Sequence, residues 1–117
     1  MTRSILIPLG LAILPCAPVR AQATTRVSEG STGVQGNADS VYTSISADGR
    51  FVAFISSADN LVPGDTNGTW DVFVHDRQTS GTTRVSVDSA GLQGNGDSYN
   101  PLISADGRYA EIGRAHV

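Results

Sequence analysis

The sequence predicts an all-β fold built from repeated units, and two observations carry this prediction. The segment 24–50 returns as 82–108 after a period of 58 residues, with 18 of 27 aligned positions identical. After residue 23, short runs of β-branched and aromatic residues alternate with Gly, Asp, Asn and Ser, and helical patterns are nearly absent. Units that recur at such a period stack on one another, because none of them buries its apolar surface alone.

The first 23 residues are organised like a secretory signal peptide. Arg3 supplies a positive start, residues 5–14 form an apolar stretch, and Ala21-Gln22-Ala23 places small residues where a signal peptidase reads them. The apolar stretch is too short to span a bilayer. We therefore expect cleavage of residues 1–23 and an exported chain, periplasmic or extracellular, with no membrane insertion after cleavage. A buried N-terminal strand or helix is the alternative.

Cysteine content and charge narrow the function classes. Cleavage after Ala23 removes Cys16, the single cysteine, which excludes disulfide stapling and thiol catalysis. Lipid attachment at Cys16 is an alternative, although Pro15 stands where a small residue is usual. The segment from residue 24 onwards has six Arg, no Lys and eleven acidic residues, a net charge of −5. This balance argues against nucleic acid and anionic membranes as partners, because both need clustered cations.

Four strands are predicted in the first repeat. Residues 41–46 and 50–55 flank Asp48-Gly49, a strong hairpin signal because Gly accepts the positive φ of the turn. The second of these strands is nearly all apolar, which is typical of a strand covered on both faces. Residues 71–76 and 82–87 provide the third and fourth strands. Four antiparallel strands per repeat is the plan of a propeller blade.

The residues also carry a resemblance. The pattern Ser46-Ala47-Asp48-Gly49-Arg50-Phe51-Val52-Ala53-Phe54, followed by Asp71-Val72-Phe73-Val74-His75-Asp76-Arg77, resembles the TolB-like propeller repeat of bacterial exported proteins. The resemblance covers residues 24–110 and implies an N-terminal β-propeller fragment of about one and a half four-stranded blades. It makes Thr24-Thr25-Arg26-Val27-Ser28 an outer strand and places the start of a second blade at residues 99–110.

The final seven residues depart from the repeat. No position of 109–117 matches its counterpart in 51–59, and an apolar strand is replaced by the charged, Gly-containing segment Glu111-Ile112-Gly113-Arg114-Ala115-His116-Val117. A common short-read sequencing adapter, translated in one frame, encodes these seven residues followed by a stop. We therefore interpret 111–117 as adapter read-through, with a divergent C-terminus as the alternative, and place none of these residues in a site.

The loop that ends at Asp71 is the best candidate for a metal site. Asp65, Asn67 and Asp71 occupy positions 1, 3 and 7 of a Gly-containing turn. Calcium prefers about six to eight oxygen ligands, which alternating Asp and Asn residues supply in many loops. The loop lacks the third alternate acid and the closing Glu of an EF-hand loop. Two hypotheses stay open: a calcium site at these residues, or a plain turn held by Asx hydrogen bonds.

Other recurring polar residues are predicted to serve the repeat itself. Asp39 and Asp97 precede the first strand of each repeat and either hydrogen-bond their own backbone or line a ligand site at one rim. Asp48 and Asp106 belong to the hairpin turns. The repeated arginines are expected to bind carboxylates on neighbouring strands; they are Arg26, Arg50, Arg84 and Arg108.

The function expected from the sequence is non-catalytic. His75 alone cannot build a zinc site, and no serine lies in a Gly-x-Ser-x-Gly elbow. Trp70 is either a cap over the sheet edge or an exposed recognition residue. The resemblance implies a protein-binding or scaffolding module whose partner is a protein or an envelope component. The alternatives are the propeller domain of a serine peptidase or hydrolase, and a calcium-dependent surface or adhesion protein.

Overall fold

A computed structural model describes residues 23–94 and 96–114, and this part of the chain is all-β. It contains no helix, and its six strands form one sheet of four strands and one of two. The signal-peptide prediction falls on residues that lie, apart from Ala23, outside the described ones. The strands are β1 (Ser40–Ile45), β2 (Phe51–Ser56), β3 (Asp71–Asp76), β4 (Gly81–Arg84), β5 (Ser98–Ile103) and β6 (Ala110–Arg114).

The first repeat forms the four-stranded sheet that the sequence predicts. The strand order is β1-β2-β3-β4 and every neighbouring pair is antiparallel. The turn between β1 and β2 contains Gly49 at a φ of 74°, where a Cβ would be strained. Asp48 holds this turn, because its Oδ1 accepts hydrogen bonds from Ser46 Oγ at 2.7 Å and Arg50 N at 3.0 Å. The structural role predicted for Asp48 is therefore confirmed.

Strands β2 and β3 are buried on both faces. On one face Phe54 stacks on Phe73 with ring centroids 5.8 Å apart, and Ala58 and Leu61 from the loop after β2 complete this core cluster. On the other face Ala53 and Ile55 are buried, and β5 of the second repeat contacts β2. The prediction of a doubly covered second strand is confirmed. Burial of such side chains contributes most of the free energy that holds a sheet of this size together.

The second repeat reproduces the hairpin of the first in the same register. Ser40 pairs with Ser56 in β1–β2, and Ser98 pairs with Arg114 in β5–β6. Both hairpins contain one β-bulge, and the bulged residues are equivalent: Tyr42 and Asn100 each have a φ of 52°. Asn tolerates this left-handed conformation better than Tyr does. The position of β6 corresponds to that of β2, so residues 111–114 occupy a strand of the repeat.

The loop before each hairpin is also repeated. Glu29 bridges to Gln35 in the first loop, and Val87 bridges to Gln93 in the second. Residues 24–28, by contrast, form no strand, so the predicted outer strand at Thr24–Ser28 is wrong. Its copy at residues 82–86 enters β4 because β3 lies beside it to accept its hydrogen bonds. Among the described residues no strand pairs with 24–28, and Ser28 O accepts its hydrogen bond from the loop residue Gly36, whose N lies 2.9 Å away.

The two repeats contact each other through the hairpins β1–β2 and β5–β6. Ala47 N donates to Ala105 O at 2.9 Å, and these residues are 58 positions apart. Ile103 N donates to Ser44 Oγ at 3.0 Å. The Phe51 ring lies against Gly107, where an added Cβ would come 2.5 Å from Phe51 Cδ2. The second repeat therefore packs directly on the first, as neighbouring units of repeat proteins do.

Gly107→Ala should destabilise the protein more than Gly49→Ala. The two glycines are equivalent and share a φ of 74°, so both substitutions incur the same backbone strain of about 1–2 kcal/mol. Only the Gly107 variant also forces Phe51 to move, since a Cβ on Gly49 would meet nothing closer than Arg77 Nη1 at 3.6 Å. Overpacking of this kind adds about 1–3 kcal/mol. Urea unfolding followed by the fluorescence of Trp70 measures both losses; equal losses would mean that the Phe51–Gly107 contact is not formed.

Candidate functional site

The structure brings the three predicted metal ligands together, and it places Arg84 among them. Arg84 Nη1 lies 3.2 Å from Asp65 Oδ1 and 3.8 Å from Asp71 Oδ2. Asn67 Nδ2 donates to Asp71 Oδ1 at 3.2 Å. The side chains of Arg84, Asp65 and Asp71 are 11%, 4% and 0% exposed. We call Asp65, Asn67, Asp71 and Arg84 the buried ionic cluster.

Asp71 is fixed by hydrogen bonds from the neighbouring strand region. Ser86 Oγ donates to Asp71 Oδ1 at 2.7 Å, and the same hydroxyl accepts a hydrogen bond from Val72 N at 3.1 Å. Asn67 orders the loop at the same time, because its Oδ1 accepts from Thr69 N at 3.2 Å. This last bond is the Asx turn that the sequence predicts at Asn67. The loop is therefore tied to β3 and to the segment after β4.

The cluster also reaches the second repeat. Gln93 Oε1 accepts hydrogen bonds from Arg84 Nη1 and from Thr66 N, both at 3.1 Å. Asn67 Nδ2 donates to Gly94 O at 2.9 Å. The ionic cluster thus lies where the first repeat meets the loop that opens the second. Its geometry depends on both repeats.

Burial and the two neighbouring charges shift the pKa of Asp65. Burial raises the pKa of Asp65 above its usual range, the charge of Asp71 raises it further, and the Arg84 guanidinium partly opposes both. Three buried oxygen atoms have no hydrogen-bond partner among the described residues: Asp65 Oδ2, Thr69 Oγ1 and Asp71 Oδ2. They are hard oxygen donors of the kind that calcium binds.

These oxygen atoms are of the type that binds a metal cation, but the guanidinium of Arg84 already lies among them. Arg84 supplies the positive charge that two buried carboxylates require. In the described part of the chain, no group of three or more His, Cys, Asp and Glu side chains is placed to hold a metal. Calcium binding at Asp65, Asn67 and Asp71 therefore stays a prediction, and it requires Arg84 to move aside.

A second candidate site is an aromatic groove between the repeats. Trp70, Tyr42 and Tyr99 line an open groove of about 320 Å³ whose floor includes Ile55. Tyr42 and Tyr99 are 69% and 41% exposed. Trp70 is predictable from the sequence as a candidate recognition residue, whereas Tyr42 and Tyr99 are not, since they are not equivalent positions of the two repeats. Only the stacking of the repeats brings them to one groove.

Asp97 has a different role from the one expected. Its Oδ1 accepts a hydrogen bond from Trp70 N at 2.9 Å, and Ser98 N donates to Trp70 O at 2.8 Å. Asp97 Oδ1 therefore bonds the backbone of the first repeat, and not its own backbone as expected. Asp97 also lines the aromatic groove, which agrees with the alternative of a ligand site.

Arg50, Asp106 and His75 serve the fold. Arg50 forms a two-bond ion pair with Asp76, with Nη2–Oδ2 at 2.8 Å and Nε–Oδ1 at 2.9 Å, and it holds the pKa of Asp76 well below its usual range. Ser104 Oγ donates to Asp106 Oδ1 at 2.6 Å, as in the first hairpin turn. Buried His75 hydrogen-bonds through Nδ1 to Thr82 Oγ1 at 2.9 Å.

No protein-family model, no curated protein and no solved structure matches this chain. Residues 23–94 and 96–114 also include no helix with the length and apolar character needed to cross a membrane.

Arg84→Met should cost about 3–5 kcal/mol of unfolding free energy at pH 7, because it leaves two buried carboxylates without a counter-charge. The pKa of Asp65 in the folded variant should rise further above its unfolded value. A carboxyl group whose pKa is higher in the folded than in the unfolded state stabilises the fold while it is protonated. This stabilisation is lost as the pH rises through the folded pKa. The unfolding free energy that Arg84→Met loses, measured by urea unfolding, should therefore be smaller at pH 4 than at pH 7.

Arg50→Met is the matched control, since it breaks an Arg–Asp pair whose side chains are 38% and 16% exposed. Water screens that pair, so its loss should be much smaller. Equal losses in the two variants, or a loss at Arg84 that does not change with pH, would contradict the role assigned to the buried ionic cluster.

Proposed function

We propose that this chain is an exported, non-catalytic TolB-like β-propeller module that binds a protein or envelope component. The support for the propeller is the four-stranded antiparallel sheet of the first repeat and the second hairpin that packs against it. The resemblance of the repeat motifs points to exported bacterial proteins. Repeats of this kind act by presenting a surface that their stacking creates.

The observation that carries the binding function is the aromatic groove. Trp and Tyr are the residue types most enriched at the centres of protein interfaces, because each combines a large apolar area with a polar atom. Trp70 is anchored through its backbone to Asp97 and Ser98, so the groove is held in place before a partner arrives. Pre-organisation lowers the entropy lost on binding. Asp97 adds a carboxylate that orients a polar partner group.

Photo-crosslinking from the groove tests this function. A benzoylphenylalanine at Tyr42 or Tyr99, in the protein produced in cells that export it, should yield one discrete adduct that is heavier than the chain itself. The same probe at Leu92, which is 65% exposed and lies outside the groove, is the matched control. Trp70→Ala should abolish the adduct formed from position 42. Identical adduct patterns at Leu92 and in the groove would refute the proposed binding surface.

A calcium-dependent surface protein is the second candidate function, favoured by the orphaned oxygens of the buried ionic cluster. Asp65, Asn67 and Asp71 would hold the ion, and the ion would supply the positive charge that binds the loop together. Addition of millimolar calcium should then raise the melting temperature, and a chelator should reverse the rise. Asp65→Asn should lose this response. A melting temperature that changes with neither calcium nor chelator would contradict a calcium site, and Arg84 would be the cation of the cluster.

A further inference from the structure

The aromatic groove contains a carboxylate but no positive side chain. Among the described residues that line the groove, Asp97 is the one charged residue. Its Oδ1 accepts a hydrogen bond from Trp70 N at 2.9 Å, and its Oδ2 accepts a long one, 3.4 Å, from Tyr99 Oη. Asp71 and Asp76, by contrast, each lie beside an arginine of the chain. The groove therefore offers its negative charge to a cation from outside.

The openness of the groove is a property of these positions in the repeat. Tyr99 is 41% exposed, and its equivalent in the first repeat, Val41, is 40% exposed. Val41 belongs to β1, which contacts β5 of the second repeat, so a neighbouring repeat does not cover this position. The residues that follow, Tyr42 and its equivalent Asn100, are both exposed as well. The packing of repeats thus leaves these side chains accessible to a partner.

Tyr42 incurs a backbone cost that the fold does not require. It occupies the β-bulge of the first hairpin at a φ of 52°, where the second hairpin has Asn100 at the same φ. This left-handed conformation is uncommon for an aromatic residue and easier for Asn. The Tyr42 side chain is largely exposed, so packing returns little for the strain. Bulges redirect side chains, and such strain is typical of binding sites.

We propose that the aromatic groove binds an arginine side chain of the partner protein, an inference that rests on the binding function proposed above. The guanidinium stacks on the rings of Trp70, Tyr42 and Tyr99, whose faces attract a cation, and Trp attracts it most strongly. One of its N–H groups donates to Asp97 Oδ2, which gives a charge-assisted hydrogen bond.

The apolar part of the groove favours arginine over lysine. Val41 and Ile55 line the groove beside the rings. A guanidinium is planar and weakly hydrated, so it enters such a groove at a lower desolvation cost than an ammonium does. Residues 24–117 have a net charge of −5, which attracts a cationic segment of a partner. A neutral sugar can also stack on aromatic rings, but it gains nothing from the charge of Asp97.

Titration of the purified chain with short blocked peptides tests the proposal. Trp70 is the one tryptophan of the chain, so its fluorescence reports on the groove, and calorimetry gives the affinities. The probes are acetyl-Gly-Arg-Gly-amide, the same peptide with lysine or with citrulline in place of arginine, and the neutral sugar chitotriose. Citrulline has the shape of arginine without its charge. We expect the arginine peptide to bind about tenfold more tightly than the citrulline peptide, with the lysine peptide between them.

Two variants that remove one negative charge separate the groove from the overall charge. Asp97→Asn keeps an oxygen to accept the Trp70 N–H, and it should abolish the preference for arginine over citrulline. Asp88→Asn is the matched control, because Asp88 is exposed, lies outside the groove and likewise accepts backbone N–H groups through Oδ1. It should keep the preference.

Tyr42→Asn separates binding from stability. It introduces the residue that the second repeat has at this bulge, so the urea midpoint should stay the same or rise. Binding of the arginine peptide should weaken severalfold, because one ring of the groove is lost. A residue that serves the fold alone would show the opposite result, with a lower midpoint and unchanged binding.

Several results would overturn the proposal. They are equal affinities for the arginine and citrulline peptides, tighter binding of lysine or chitotriose than of arginine, no binding at millimolar peptide, or a preference for arginine that survives Asp97→Asn. Photo-crosslinking from position 42 tells this failure apart from failure of the proposed function. An adduct that forms undiminished in Asp97→Asn refutes the arginine contact and keeps the binding surface, whereas absence of any adduct refutes both.

Discussion

The described fold depends on covering strand β2 from both sides. Its side chains alternate between the face of Phe54, closed by Ala58 and Leu61, and the face of Ala53, closed by the second repeat. A strand of this composition exposes a continuous apolar surface if either cover is removed. The loops that seal one face and the repeat that seals the other are therefore parts of one core, and neither repeat is an independent unit.

Two sets of polar contacts hold the loop and the second repeat against β2. The buried ionic cluster joins the loop before β3 to the end of β4, and through Gln93 it also reaches the second repeat. Asp97 and Trp70 join the repeats at a second point. Buried charges stabilise only when their partners are positioned well, so these bonds restrict how the repeats can stack. Apolar burial supplies the free energy, and the polar contacts select one arrangement.

The same stacking forms the surface on which the proposed function rests. The aromatic groove exists because Tyr99 from the second repeat comes beside Trp70 from the first. The groove therefore belongs to neither repeat alone, and its geometry depends on how the repeats are stacked.

Strand positions were largely predictable from the sequence because they follow local composition. The alternation around Asp48-Gly49 and the apolar run after it placed β1 and β2 within one or two residues of their bounds. The segment 24–28 shows where local reasoning failed. It is identical in sequence to 82–86 in all five positions, yet only the later copy enters a strand. A strand requires a neighbour for its hydrogen bonds, and the neighbour is not encoded in the segment itself.

The sequence by itself determined that this chain is a β-repeat with hairpins in a constant register, since that information lies in period, turn residues and alternation. It also brought Asp65, Asn67 and Asp71 into one loop by their spacing. Only the tertiary structure decided that Arg84 lies among them, that Asp97 bonds Trp70, and which apolar residues stay exposed. Those outcomes depend on contacts between residues far apart in sequence, where the stacking of whole repeats sets the distances.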